Sequence, residues 1–138
     1  MAEREIYRRT RLIRPEDIDE LGHVNNVRWL HFVNDVAMAH ASLHGSDLDG
    51  LRQRGALWIV RRHELDYHRP ALPGEEIVEE TWVEDMTGAK SERHSRFTRA
   101  SDGAILVTAV SIWAYVDSKT LRPTRIPEAL RARFAPRA

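Results

Sequence analysis

The sequence predicts an α+β domain in which one helix lies beside a mostly antiparallel sheet. Three observations predict it. Residues 27 to about 44 carry helical periodicity with a broad apolar arc. Residues 56 to 117 read as strands separated by short turns. A further strand-like stretch precedes the helix. One helix with that much apolar surface beside such strands argues for a five-stranded sheet wrapped around a long central helix.

The elements follow in chain order. Residues 5 to 14 read as the first strand, with Tyr7, Thr10, Leu12 and Ile13 as strand formers. Pro15 closes it, because proline cannot donate to a ladder. A polar loop follows, and Asn25 or Asn26 supplies the helix N-cap. In the helix, Arg28, His31, Asp35 and Ser42 share a polar stripe. Val27, Leu30, Val33, Ala37 and Ala41 line the opposite face, widened by Trp29, Phe32, Val36 and Leu43. Gly45 is a natural stop. Residues 46 to 55 are polar with two glycines and have room for a short helical turn before a loop.

Residues 56 to 69 form one long strand with room for a bulge. Pro70 to Gly74 is a turn. Residues 75 to 86 make the next strand, and Thr87-Gly88 turns the chain into 89 to 100. Ser101-Asp102-Gly103 signals a hairpin, and 104 to 117 is the last strand. A loop runs to Pro127, where a short C-terminal helix begins with proline at its first position.

The chain has 138 residues, 42% hydrophobic and 30% charged, and reads as one soluble globular domain over 1–138. Its 21 basic and 21 acidic residues cancel, which argues against nucleic acid as a partner. Cysteine is absent, so disulfides, thiolate nucleophiles and zinc-finger spacings are excluded. The N-terminus, Met1-Ala2-Glu3-Arg4-Glu5-Ile6, lacks the apolar core of a signal peptide. No apolar run approaches the ~20 residues of a membrane helix. The expectation is a cytoplasmic protein with no membrane partner.

The stretch from Arg14 to Leu30 gathers Asp17, Asp19, Gly22, His23, Asn25 and Asn26 ahead of the helix. Free N–H groups of a first helical turn point at whatever sits before them and polarise a carbonyl there. By spacing, Asp17 and Asp19 are close enough to act on one bound group. On residue type alone they read equally as solvated loop acids or a helix cap. Gly22 reads most simply as a backbone requirement of the turn.

Asp17-x-Asp19-x-x-Gly22-His23-Val24-Asn25-Asn26, followed by Trp29, resembles the signature of hotdog-fold acyl-CoA thioesterases of the 4-hydroxybenzoyl-CoA thioesterase type. The His-Val-Asn-Asn part is also similar to acyl-ACP thioesterases. The resemblance implies a hotdog fold that pairs into homodimers or dimers of dimers. It implies hydrolysis of an acyl-CoA or acyl-ACP thioester to free acid and thiol. In the resembling enzymes the catalytic acid lies three residues before the motif glycine, here Asp19. It acts as nucleophile or as general base toward water. The Asn26 N–H is implied as the oxyanion donor, with His23 and Asn25 assisting. Gly22, Lys90 and Arg93 are implied on the substrate side, the last two against the nucleotide end of CoA.

No cofactor beyond the substrate's own CoA is implied. No metal is expected either: His40 and His44 have i,i+4 spacing, but lie near a helix end with no Glu motif between them. Asp35, on the polar helix stripe, is a second candidate acid. Trp29, Trp58, Trp82 and Trp113 can shape an acyl pocket or serve as core. Two other readings stand beside hydrolysis. A non-catalytic acyl-CoA-binding module would keep the groove and dispense with Asp19. A hotdog dehydratase or hydratase usually carries a glycine- and proline-rich stretch after the histidine, where this chain has Val24-Asn25-Asn26.

Overall fold

The computed structural model describes residues 4–134. Five strands form one sheet: β1 (Tyr7–Leu12), β2 (Ala56–Tyr67), β3 (Glu76–Thr87), β4 (Lys90–Arg99) and β5 (Ile105–Asp117). Their order is β1-β3-β4-β5-β2, and every pair is antiparallel. Three helices accompany them: α1 (Asn26–Leu43), α2 (Leu48–Arg54) and α3 (Glu128–Phe134). A single 3-10 turn, Pro15–Asp17, follows β1. No described helix is long and apolar enough to cross a membrane.

α1 spans 18 residues. Its buried positions are Trp29, Phe32, Val33, Val36, Ala37 and His40. The first four meet Ile77, Phe97, Val107 and Ala109 on one face of the sheet. This stripe differs from the apolar arc expected of the helix. Val27 and Leu43 are exposed, and His40 is fully buried. Periodicity marks an apolar arc wider than the sheet can cover, and the sheet takes only the side centred on Val33 and Val36.

A second core lies at the other end of the same face. Val83, Met86 and Tyr115 meet Ile126, Leu130 and Phe134, so α3 closes that end. Between the two cores the inner face of the sheet is polar. Thr81, Arg93, Ser95 and Ser111 are all buried there beneath the helix.

The boundaries depart from expectation in small ways. β1 is six residues, shorter than 5 to 14. β2 ends at Tyr67, because the His68 and Arg69 N–H groups both turn to the Leu106 carbonyl. The expected irregularity in β2 lies between Val60 and Arg62. The short turn expected after Gly45 is the seven-residue α2, capped by Asp47 and ended by Gly55 in the left-handed region. It runs into β2 with no intervening loop. α3 begins at Glu128, one residue after Pro127.

Candidate active site

The loop before α1 is a small hairpin. The Asn25 N–H donates to the Asp17 carbonyl at 3.0 Å, and the Asp19 N–H to the His23 carbonyl at 3.0 Å. Ile18 and Val24 bridge between them and turn toward the first core. Side chains alternate across such a ladder. Asp19 and His23, directly opposite each other, therefore share the face away from that core, as do Asp17 and Asn25.

Glu20-Leu21-Gly22 forms the tip. Gly22 has φ +87° and donates its N–H to the Asp19 carbonyl at 3.1 Å. That φ is one L side chains rarely adopt, so glycine at this position is a requirement of the turn. The Asp19 carboxylate accepts the Leu21 N–H at 2.9 Å. This fixes its orientation and leaves the other oxygen free of any described partner.

Asp17 has a different task. It is buried and accepts the Arg14 N–H at 2.9 Å and Arg28 Nε at 2.6 Å. It ties the 3-10 turn to the first turn of α1. The two acids, adjacent by spacing, are thus separated in role: Asp17 holds the loop and Asp19 stands on it.

Asn25, not Asn26, is the N-cap; its Oδ1 accepts the Val27 N–H at 2.8 Å. The Arg28 N–H donates to the Asn25 carbonyl at 2.9 Å. Asn26 is the first helical residue, and its N–H has no acceptor among the described residues. Its carbonyl accepts the Tyr67 hydroxyl at 3.2 Å, so the end of β2 braces the helix start. The result is an unengaged N–H at the positive end of an 18-residue helix, on the same short hairpin as a half-buried carboxylate. Such a donor favours negative charge in front of it.

Lys90 and Arg93 part company. Three residues apart on β4, they point to opposite faces. Lys90 is exposed, whereas Arg93 is buried beneath α1. The two residues implied together against the nucleotide end of CoA thus lie on opposite faces of the sheet. Arg93 Nη1 donates to His40 Nδ1 at 2.9 Å and to Thr81 Oγ1 at 3.1 Å.

Asp35 is exposed and meets Arg11 at 3.3 Å, the geometry of a surface ion pair. Trp29 is core, packed edge-on to Phe32 and Phe97. Trp82 is stacked by Arg4 and Arg96 on the other side of the sheet.

His40 begins a chain that spacing did not reveal. Its Nε2 meets Glu5 Oε1, and His44 Nε2 meets the same oxygen. The acid missing from the helix comes from just upstream of β1. The three ligand atoms lie within 4.8 Å of one another. Arg93 settles the tautomer, however. A guanidinium can only donate, so His40 Nδ1 accepts and its proton sits on Nε2, the nitrogen a metal would need. The group is therefore built as a hydrogen-bond relay, Arg93–His40–Glu5–His44. Burial, helped by the Arg93 charge, pushes the His40 pKa down to about 4 against the pull of Glu5. Burial pushes the Glu5 carboxyl up, but hydrogen bonds from His44 and His40 outweigh it and hold it below its ordinary value.

Two cavities adjoin these elements. One, of about 410 Å³, lies among Arg9, Arg11, Arg14 and Arg28, with Glu79 and Asp17 pairing several of them. The other, of about 390 Å³, lies under the C-terminal half of α1. Trp58, Trp113, Met86, Leu51 and Phe134 line it, with Arg93 in its wall. Neither is lined by Asp19, His23 or Asn26.

Comparison with known proteins shows the family and the fold. The family model for the thioesterase-like superfamily matches residues 13–134. The dodecanoyl-[acyl-carrier-protein] hydrolase of Cinnamomum camphora is 26% identical over 138 residues, 95% of this chain and 36% of that protein. The chain thus spans about a third of that relative's length. Among solved structures, the 1,4-dihydroxy-2-naphthoyl-CoA thioesterase from Synechocystis superposes with TM-score 0.86 at 13% identity, covering 95% of this chain and 96% of that one. A Staphylococcus aureus protein solved in complex with CoA superposes with TM-score 0.90 at 16% identity, covering 98% and 85%. The fold shared with these structures is the hotdog fold that the loop signature implies.

Proposed function

Because this chain belongs to the thioesterase-like superfamily, we propose that it hydrolyses acyl-CoA or acyl-ACP thioesters, releasing a free acid and a thiol. The observation that carries this reading is the oriented Asp19 carboxylate on a hairpin that leads directly into α1, whose first residue, Asn26, has an unengaged N–H. A thioester carbonyl in front of α1 is polarised by that N–H. Donors aimed at developing negative charge lower such barriers by about 3 kcal/mol. Asp19 attacks the carbonyl carbon directly, giving a mixed anhydride that water then hydrolyses to the free acid and the regenerated carboxylate, or it takes a proton from the water that attacks the thioester. Thiolate departs as the carbonyl re-forms. His23, across the ladder from Asp19, orients the acid or the water. Asn25 acts by capping the helix, which sets the direction of the Asn26 N–H. Lys90 is the exposed cation offered to the nucleotide end of CoA.

The active unit in this reading is a homodimer, with dimers of dimers built from it. β2 lies at the sheet edge and pairs only with β5 among the described strands. Tyr67, at its C-terminal end, touches Asn26, while Trp58, near its N-terminal end, lines the apolar cavity. Nine residues separate them, roughly 30 Å of strand. A single chain therefore holds hairpin and cavity far apart. A second copy paired antiparallel along β2 brings the cavity of one chain beside the Asn26 end of the other. The acyl group then enters the cavity while the thioester meets the partner's loop.

The test is thiol release from a panel of acyl-CoA and acyl-ACP substrates, with the oligomeric state measured in parallel. Turnover by a dimer or larger assembly supports the reading. Tight binding without turnover favours a non-catalytic acyl-CoA-binding module.

A further inference from the structure

Arg93 is the most unusual charge in the molecule. Its residue is 6% exposed, yet no carboxylate among the described residues touches it. Its contacts are the neutral side chains of His40 and Thr81, both through Nη1, and the ring of Phe134 with its centroid 5.9 Å away. Glu5 stands beyond the His40 ring and is occupied by both histidines. Nε and Nη2 have no acceptor among the described residues. Neither is among the side-chain nitrogens sealed from solvent without a partner. Arg93 also lines the cavity of about 390 Å³.

A buried cation without a counter-charge is costly, and it raises the affinity of its surroundings for an anion. The Nε–Nη2 edge is a planar fork that matches a carboxylate with two parallel hydrogen bonds. Most of the rest of the wall is apolar, Leu51, Trp58, Met86, Trp113 and Phe134 among it, with Ser42, Ser46, Ser91 and Asp47 as the polar side chains. The cavity's own acid, Asp47, is spent on the Gly50 N–H at 3.1 Å, as the cap of α2. The ligand that fits has an apolar body and a single carboxylate at its far end.

We propose that this cavity takes acyl groups bearing a terminal carboxylate, the ω-carboxyacyl thioesters, with Arg93 as the specificity-determining residue. The inference rests on the thioesterase reading for its reaction and on the cavity alone for its ligand. In it, Arg93 fixes the acyl end and leaves the thioester at the cavity mouth.

The first test uses the wild-type protein. Its kcat/KM is measured for an ω-carboxyacyl-CoA and for the unsubstituted acyl-CoA of equal length. A charge-assisted pair predicts a preference of about tenfold or more for the carboxylated substrate. Equal or reversed preference overturns the proposal. The second test needs no turnover. Trp58 and Trp113 line the cavity, so their fluorescence reports occupancy. Titration with the monomethyl ester of a medium-chain dicarboxylic acid is expected to saturate at least tenfold more tightly than with the dimethyl ester. Arg93→Lys, which keeps the charge and loses the fork, is expected to narrow that gap, and Arg93→Met to close it. Equal titration by both esters in the wild type overturns the proposal. Ester discrimination without hydrolysis of any thioester leaves the ligand assignment standing and removes the thioesterase reading.

Discussion

The Asp19 N–H donates to the His23 carbonyl at 3.0 Å, which sets the two residues opposite each other on a hairpin with a three-residue tip. The same hairpin turns Ile18 and Val24 into the core and hands Asp17 to Arg28. One acid is thereby made structural and its neighbour presented. The division predicts different phenotypes for the two aspartates.

Asp17→Ala removes the acceptor for the Arg14 N–H and for Arg28 Nε. Asp17 is buried and its partner half-exposed, so the expected loss is about 2 kcal/mol of folding stability. Urea denaturation reads it. Thiol release per folded molecule is expected to fall less than tenfold, because the reacting groups stay in place.

Asn25→Ala and Asn26→Ala separate the cap from the donor. Asn25→Ala loses the bond to the Val27 N–H and is expected to cost about 1 kcal/mol in stability, with a drop in turnover as the helix start loosens. Asn26→Ala keeps its backbone N–H, so its turnover stays within a few-fold of wild type. Paired denaturation and kinetic measurements distinguish them.

Glu79 is fully buried and holds Arg9 Nε at 2.7 Å and Arg11 Nε at 2.7 Å, tying β1 to β3. Glu79→Gln is expected to destabilise by about 2 kcal/mol, since two guanidinium groups lose their shared counter-charge. Amide exchange in β1 is expected to quicken more than exchange in β4.

The His40 pKa, about 4, lies below the ordinary imidazole value of 6.5. The unfolded chain therefore binds a proton before the folded one does. The stability this histidine contributes is full above pH 6.5 and is lost as pH falls toward 4, by about 3 kcal/mol at most. Below that, Glu5, whose pKa is held under 4.5, adds a loss of the same sign. Melting temperature followed from pH 7 to 4 is expected to fall more steeply in wild type than in His40→Gln.

The order of elements was legible in the sequence because turn residues and periodicity are local signals. The hairpin before α1 was legible as a block, since its acids, glycine and asparagines lie close together in the sequence. The division of labour within it was not: residues 17 and 19 have the same type, and only the ladder direction shows which one meets Arg28. His40 was legible only as half of an i,i+4 pair with His44, because its partners Glu5 and Arg93 lie 35 and 53 residues away. Arg93 was set against the nucleotide end of CoA by the resemblance, which carries no information on burial. Its burial follows from β4 alternation, which places it with Ser91, Ser95 and Phe97 on the helix side. The exposure of Val27 and Leu43 depended on where the sheet ends, which a helical wheel does not contain.

In the proposed reaction Asp19 performs or directs the attack on the thioester. The most direct measurement compares single-turnover thiol release by the wild type and Asp19→Asn, on a substrate the wild type cleaves. Asparagine keeps an oxygen for the Leu21 N–H, so the hairpin is retained while the base and the strong nucleophile are lost. Release is expected to fall about a thousandfold or more in the variant, with substrate affinity within a few-fold. Undiminished release by a folded Asp19→Asn protein would contradict that role and move the reacting acid elsewhere.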